Sequence, residues 1–199
     1  IHNGSICVMK LTVLPATPAR WPDVEAVFGA RGCSLARGCW CRYYRHSGAS
    51  PPLREGMTRA AAHRAELKAL IHEGRAPGLL GYRGDEPVGW VSLAPREEFA
   101  KLKRSPIMKA VDDRAVWSVI CFVVPSAHRG EGVARALLAG AIAWARRQGA
   151  MLLEAYPVDK PARSQDDSMW FGSKSMYDAA GFSEVARRKP HRPVVRLEL

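Results

Sequence analysis

The run Cys121-Phe-Val-Val-Pro-Ser-Ala-His-Arg-Gly-Glu-Gly-Val-Ala-Arg-Ala-Leu-Leu138 constrains the fold of this chain more than any other. Its β-branched start reads as a strand, its two glycines as a tight turn, and its Ala/Leu-rich end as a helix. The helix, Glu131 to Gln148, carries Val133, Leu137, Leu138, Ile142 and Ala145 on one face. A strand that passes through so short a turn into such a helix lays that apolar face on its own sheet, which places the chain in the α/β class. The turn also has chemistry. A helix start leaves backbone N–H groups unpaired at a positive dipole end, which suits phosphate oxygens. Gly130 and Gly132 let a ligand approach the backbone.

The rest of the chain supplies a sheet and its covering helices. Cys7 to Leu14, Leu79 to Tyr82, Pro87 to Leu93, Ala115 to Val124, Met151 to Tyr156, Phe182 to Arg187 and Val194 to Leu199 read as strands. Arg20 to Phe28, Arg54 to Glu73, a short Arg96 to Lys103 and Trp170 to Ala180 read as helices. Gly29 to Pro52 is irregular, and Pro157 to Ser168 is a polar loop of unusual length. Residues 9–199 form one domain, a mixed sheet with helices on both faces, and 1–8 read as an N-terminal extension.

Composition excludes several classes. No apolar run approaches the roughly 20 residues of a membrane span, and Ile1 to Val8 lack the pattern of a signal peptide. The net charge of +11 suits a polyanionic ligand, but there is no dense basic run or RNA-binding aromatic motif. Neither a nucleic-acid nor a membrane partner is therefore expected, and a homodimer is allowed without being required. The five cysteines, at 7, 33, 39, 41 and 121, are odd in number, and Cys121 lies in a predicted buried strand. This fits reduced thiols and a cytoplasmic location. Cys33, Cys39 and Cys41 with His46 raise a zinc question, but Cys-x-Cys is poor ligand spacing and no second pair follows, so no metal is expected.

Arg129-x-x-Gly132-x-Ala134 after an apolar strand resembles the acyl-CoA-binding motif of the GNAT superfamily of N-acyltransferases. Ser175-Met-Tyr177-Asp-Ala-Ala-Gly181-Phe182 is similar to the Tyr-x-x-x-Gly-Phe signature of the same superfamily. The resemblance implies a fold whose central parallel strands splay to admit acetyl-CoA as cosubstrate. It implies that Phe122, Val123 and Val124 face the pantetheine arm. Arg129, Gly130, Glu131, Gly132, Val133 and Ala134 would cradle the pyrophosphate. Tyr177 would stand by the thioester sulfur as proton donor, a role that phenol chemistry allows. The Asn that family members often carry seven or eight residues before that Tyr is replaced here by Met169 and Trp170.

Acetyl transfer needs a neutral amine, a donor for the oxyanion and a proton for the thiolate. A backbone N–H of Val124 or a neighbour serves the oxyanion. No carboxylate stands on the strand at Trp117 to Phe122, so the base would be Glu154, Asp113 or a water. The acceptor pocket is expected from the 29–52 segment and the 157–168 loop. There Trp40, Tyr43 and Tyr44 offer flat faces to a sugar ring or cation. Asp112, Asp113, Glu154, Asp159, Asp166 and Asp167 would make an acidic site if they converge. The segments Gly38-Cys-Trp-Cys41, Gly78 to Arg96 and Glu154 to Asp159 resemble a bacterial GNAT subfamily that includes aminoglycoside 2′-N-acetyltransferases acting on kasugamycin. That implies a small cationic acceptor and an antibiotic-resistance role. A protein or peptide N-acetyltransferase, and a non-catalytic CoA-sensing or nucleic-acid-binding module, remain alternatives at the level of sequence.

Overall fold

The computed structural model describes residues 11–48, 53–160 and 169–199. One seven-stranded sheet runs in the order β1-β2-β3-β4-β5-β7-β6. Its strands are β1 (Leu11–Pro15), β2 (Gly78–Arg83), β3 (Glu86–Pro95), β4 (Trp117–Val123), β5 (Leu152–Ala155), β6 (Ser183–Lys189) and β7 (Arg192–Glu198). All neighbours are antiparallel except β4 and β5. That parallel contact is short: Trp117 pairs with Leu153, Ser118 with Glu154 and Val119 with Ala155. Beyond Val119 the two strands part, and the rest of β4 has a free edge on that side. The splayed parallel pair and the mixed sheet match the expectation from sequence.

Helix α4 (Val133–Arg147) covers one face of the sheet. Val133, Leu137, Leu138, Ala141 and Ala145 pack there against Leu79, Val88, Val91 and Val119. Gly140 has a packing reason. A Cβ there would lie 2.4 Å from Val13 on β1, so the bare backbone offsets the roughly 1 kcal/mol that glycine costs a helix interior by letting helix and strand meet. On the other face, α1 (Trp21–Gly29) and α3 (Arg59–His72) bury Trp21, Val24, Phe28, Leu67 and Ile71 against Leu80 and Trp90. A third cluster, around Phe99, Leu102, Ile120, Tyr156 and Phe171, seals the region beside the splay.

Three local differences from the sequence reading have simple causes. Helix α3 starts at Arg59 because the Thr58 side chain accepts from the Ala61 N–H and caps it. The last helix, α5 (Lys174–Ala179), starts later than Trp170 because Ser173 caps it. The irregular 29–52 segment contains a short helix, α2 (Ser34–Cys39), followed by Trp40 and Cys41 in the left-handed region. Two consecutive non-glycine residues there cost free energy. The compensation is visible: the Trp40 ring stacks 4.7 Å from Phe28 and 5.9 Å from Trp21. This stack fixes the Cys39–Arg45 loop to the body of the fold.

Candidate active site

The cavity that matters lies in the splay. It has a volume of about 750 Å³ and runs along β4 from the start of α4 to Tyr43 and Tyr44. At one end the turn before α4 is held open by Gly130 and Gly132, with φ of +79° and +81°. A Cβ at either would meet nothing within 4 Å, so backbone conformation calls for glycine here. The helix begins its ladder with Ala136 N–H donating to the Gly132 carbonyl. The amides of Val133, Ala134 and Arg135, which line the cavity, thus have no helical acceptor. The Arg135 side chain adds a cation beside them. Unpaired amides and a nearby cation suit this turn to an anionic oxygen.

Arg129 lines the cavity, and its guanidinium also clamps two segments. Its Nε donates to the Val124 carbonyl at 3.0 Å and its Nη2 to the Gly32 carbonyl at 2.7 Å. It therefore ties the end of β4 to the α1–α2 connection. Glu131 does not line the cavity; it pairs with Arg83 at 2.5 Å. Its carboxylate is thus directed away from the cavity, so any part Glu131 plays in the expected cradle would come from its backbone.

Phe122, Val123 and Val124, expected to face the pantetheine arm, line the cavity. The Phe122 N–H donates to the Trp170 carbonyl at 2.7 Å, so that part of the free edge is taken by the segment before α5. Val124, two residues on, presents its N–H on the same edge by the period of a strand. A bulge opposite Ser92 and Leu93 lets Ile120 and Cys121 turn toward the same side of the sheet. Both line the far half of the cavity, with Cys39, Cys41, Tyr43, Tyr44, Met169 and Trp170. Sequence reasoning missed this gathering of thiols. Cys33, Cys39, Cys41 and Cys121 are free and all touch the cavity. Burial pushes the thiols of Cys33 and Cys39 up, and a hydrogen bond with Cys121 does so most for Cys41. Among the described residues no group of three or more His, Cys, Asp or Glu could hold a metal ion.

Other predicted site residues stand elsewhere. Trp40 is buried in its aromatic stack and is off the cavity wall, so it anchors the loop. Tyr43 and Tyr44 do reach the wall. Their aromatic surroundings already hold cations: Lys101 Nζ lies 3.4 Å from the Tyr43 ring centre, and Arg192 lies 4.5 Å from that of Phe171, beside Tyr44. Burial pushes Tyr44 up to about 12.

Glu154 is fully buried at the base of the splay. Its carboxylate accepts from Arg96 at 2.9 Å, Arg196 at 2.8 Å and the Tyr156 hydroxyl at 2.6 Å. With its oxygens so held and no place on the wall, it is a structural anion and is not placed to act as the base that the sequence offered at Glu154. Asp112 pairs with Arg196 at 2.6 Å and Asp159 with Arg187 at 2.6 Å, while Asp113 is exposed and off the wall. The predicted acidic acceptor site does not form among the described residues; Asp166 and Asp167 lie outside them. The signal for the Glu154 network was present: a charged residue inside Leu152-Leu-Glu-Ala-Tyr156 demands buried partners.

Tyr177 is also off the wall. Its ring is fully buried between Phe122 and Phe182, and its hydroxyl donates to the Phe171 carbonyl at 3.0 Å. Burial and the nearby Cys121 raise its pKa. It stands directly behind wall residues Phe122, Gly172 and Met176, each adjacent to it in packing or sequence.

A sequence profile of the Acetyltransferase (GNAT) family matches residues 40–164, more than half of the chain. The chain belongs to the GNAT family and is an acetyl-CoA-dependent N-acetyltransferase. Similar solved structures include an acetyltransferase from Thermus thermophilus, at 20% identity and a TM-score of 0.51, covering 96% of this chain and 99% of that one. The yncA protein of Salmonella typhimurium, solved with its cofactor acetyl-CoA, is 18% identical with a TM-score of 0.52, covering 95% and 94%. The polyamine N-acetyltransferase of Drosophila melanogaster, which catalyses formation of N-acetylagmatine, is 13% identical with a TM-score of 0.54, covering 96% and 100%. At these identities the likeness shows the fold. No curated protein sequence gives a significant match. No helix among the described residues is long and apolar enough to cross a membrane.

Proposed function

We propose that this enzyme acetylates a small primary amine held at the Tyr43–Tyr44 end of the cavity. The observation that carries this reading is the continuity of one 750 Å³ cavity from the turn before α4 to a thiol and aromatic wall. A cosubstrate whose phosphates sit at Val133, Ala134 and Arg135, with its arm along Phe122 to Val124, delivers its acyl group toward Cys121.

The chain's groups then divide the chemistry. Lys101 and Arg192 lie near the acceptor end, and no described carboxylate lines it. Like charge and desolvation both lower the pKa of a bound amine, so the neutral nucleophile forms without a dedicated base. The Val124 N–H is aimed at the oxyanion. The amine lone pair attacks the acyl carbon, the C–N bond forms and the C–S bond breaks. The proton lost by nitrogen balances the one gained by sulfur. For Tyr177 to assist this departure, its hydroxyl must leave the Phe171 carbonyl and the wall residues in front of it, Phe122, Gly172 and Met176, must shift to admit the sulfur. Burial raises its pKa, which keeps it protonated but makes it a weaker acid toward the thiolate.

The finer sequence reading, an aminosugar such as kasugamycin, keeps the support of the three resembling segments. It does not gain the support of converging carboxylates. The test is a screen of amines with release of free thiol as readout, each product checked for one added acetyl group. Efficient acetylation of a peptide N-terminus with no small amine turned over would sink the small-molecule reading.

A further inference from the structure

Resting on that reading, we infer that the acceptor is a monoamine whose remaining surface is apolar and aromatic, and that polycationic amines are poor substrates. The wall of the acceptor end includes Cys39, Cys41, Tyr43, Tyr44, Cys121 and Trp170, with no carboxylate among the described residues. These groups offer polarisable, weakly hydrogen-bonding contacts. A second ammonium group placed there finds no carboxylate partner among the described wall residues, and an unpaired charge shielded from water is costly.

Several carboxylates among the described residues are already paired. Glu66 is held by Arg42 at 2.8 Å, with His46 at 3.1 Å, and Glu98 by Arg75 at 2.8 Å and by Arg45. Glu154 has Arg96 and Arg196, Asp112 has Arg196, and Asp159 has Arg187. The aromatic route to a cation is also taken. Lys101 occupies a face of Tyr43 and Arg192 a face of Phe171, so a substrate ammonium there would meet like charge. These cations favour one neutral amine and reject a second charge that cannot be shed. Selectivity thus comes from a repulsive element as well as from apolar contact.

The experiment compares kcat/KM for phenethylamine and tryptamine with those for spermidine, agmatine and kasugamycin, using the intact enzyme. Acetyl-CoA binding is measured by calorimetry on the same samples. The expected result is a preference of about tenfold or more for the aromatic monoamines. Tyr43→Glu adds a carboxylate at a half-exposed wall position and removes the ring that Lys101 covers. It should cut the preference by about tenfold, chiefly by lowering the KM for spermidine. Equal or faster turnover of spermidine, agmatine or kasugamycin overturns the inference and leaves the small-amine reading standing. Intact acetyl-CoA binding with no turnover of either aromatic amine overturns it too. Failure to bind acetyl-CoA at all strikes the proposed function itself.

Discussion

Tyr177→Phe separates the structural hydrogen bond of one hydroxyl from the proton-donor role proposed for it. The ring sits between Phe122, at a centroid distance of 6.5 Å, and Phe182, at 5.1 Å, and phenylalanine preserves both contacts. What is lost is the donor to the Phe171 carbonyl. Leaving that buried acceptor unpaired costs about 1–3 kcal/mol, or roughly 2–10 °C in Tm for a domain of this size. The catalytic effect is smaller than for an unengaged acid, because the hydroxyl exchanges one acceptor for another. A hydrogen bond to a charged partner is worth about 1.5–3 kcal/mol and to a neutral one about 0.5–1.5. The difference, about 1–2 kcal/mol, predicts a fall in kcat of about 5- to 30-fold. Single-turnover acetyl transfer at saturating acetyl-CoA is the assay, with calorimetric binding of acetyl-CoA alongside. The binding constant should stay within about twofold. An unchanged single-turnover rate in folded Tyr177→Phe protein would refute the proton-donor role and leave Tyr177 as core packing.

Three further outcomes follow from the same geometry. Glu154→Ala strips Arg96 and Arg196 of their shared partner and should cost about 3–5 kcal/mol of stability. Glu154→Gln should leave the shape of the pH–rate profile unchanged, and loss of its basic limb would restore Glu154 as a base. Trp40→Ala empties the stack against Phe28 and Trp21 and should destabilise by about 3–5 kcal/mol, read by denaturant titration. It should also raise acceptor KM more than acetyl-CoA KM, because the loop it anchors carries Tyr43 and Tyr44. The folded-state pKa values of Cys33, Cys39, Cys41, Tyr44 and Tyr156 are all raised. Each group is therefore a better proton holder folded than unfolded. Their contribution is complete below the thiol range near 9 and is lost as pH climbs toward 12. Melting temperatures should be flat on this account between pH 7 and 8.5 and fall above it; a rise above pH 9 would contradict it.

What could be read from the sequence was local. The strand, the two glycines and the amphipathic start of α4 are one continuous segment, so the strand–turn–helix that opens the cavity was legible from spacing. The same holds for the β2–β3 hairpin and for the order of elements. The rest depended on residues far apart in the chain. Glu154 meets Arg96 and Arg196 across three strands and a connecting turn, and nothing near Glu154 names its partners. Trp40 and Tyr43 are equally plausible wall residues by composition. Only the left-handed backbone at Trp40 and Cys41 sends the indole into the core and leaves the tyrosines at the cavity. Tyr177 shows a subtler limit. Its motif places it beside the site, whereas the acceptor of its hydroxyl, six residues back, is set by the turn before α5. The convergence of four thiols needs the α2 loop folded over the β4 bulge, which no periodicity reveals.

The central claim is that the cosubstrate lies along the free edge of β4, with its acyl end facing a wall without described carboxylates. A crystal structure of the enzyme with acetyl-CoA tests this most directly. The account predicts pyrophosphate oxygens within about 3 Å of the amides of Val133, Ala134 or Arg135, and the thioester beside Cys121 with the Tyr177 hydroxyl behind it. Pyrophosphate bound away from that turn, or a carboxylate of Glu154, Asp112, Asp113 or Asp159 against the acyl carbon, would contradict it.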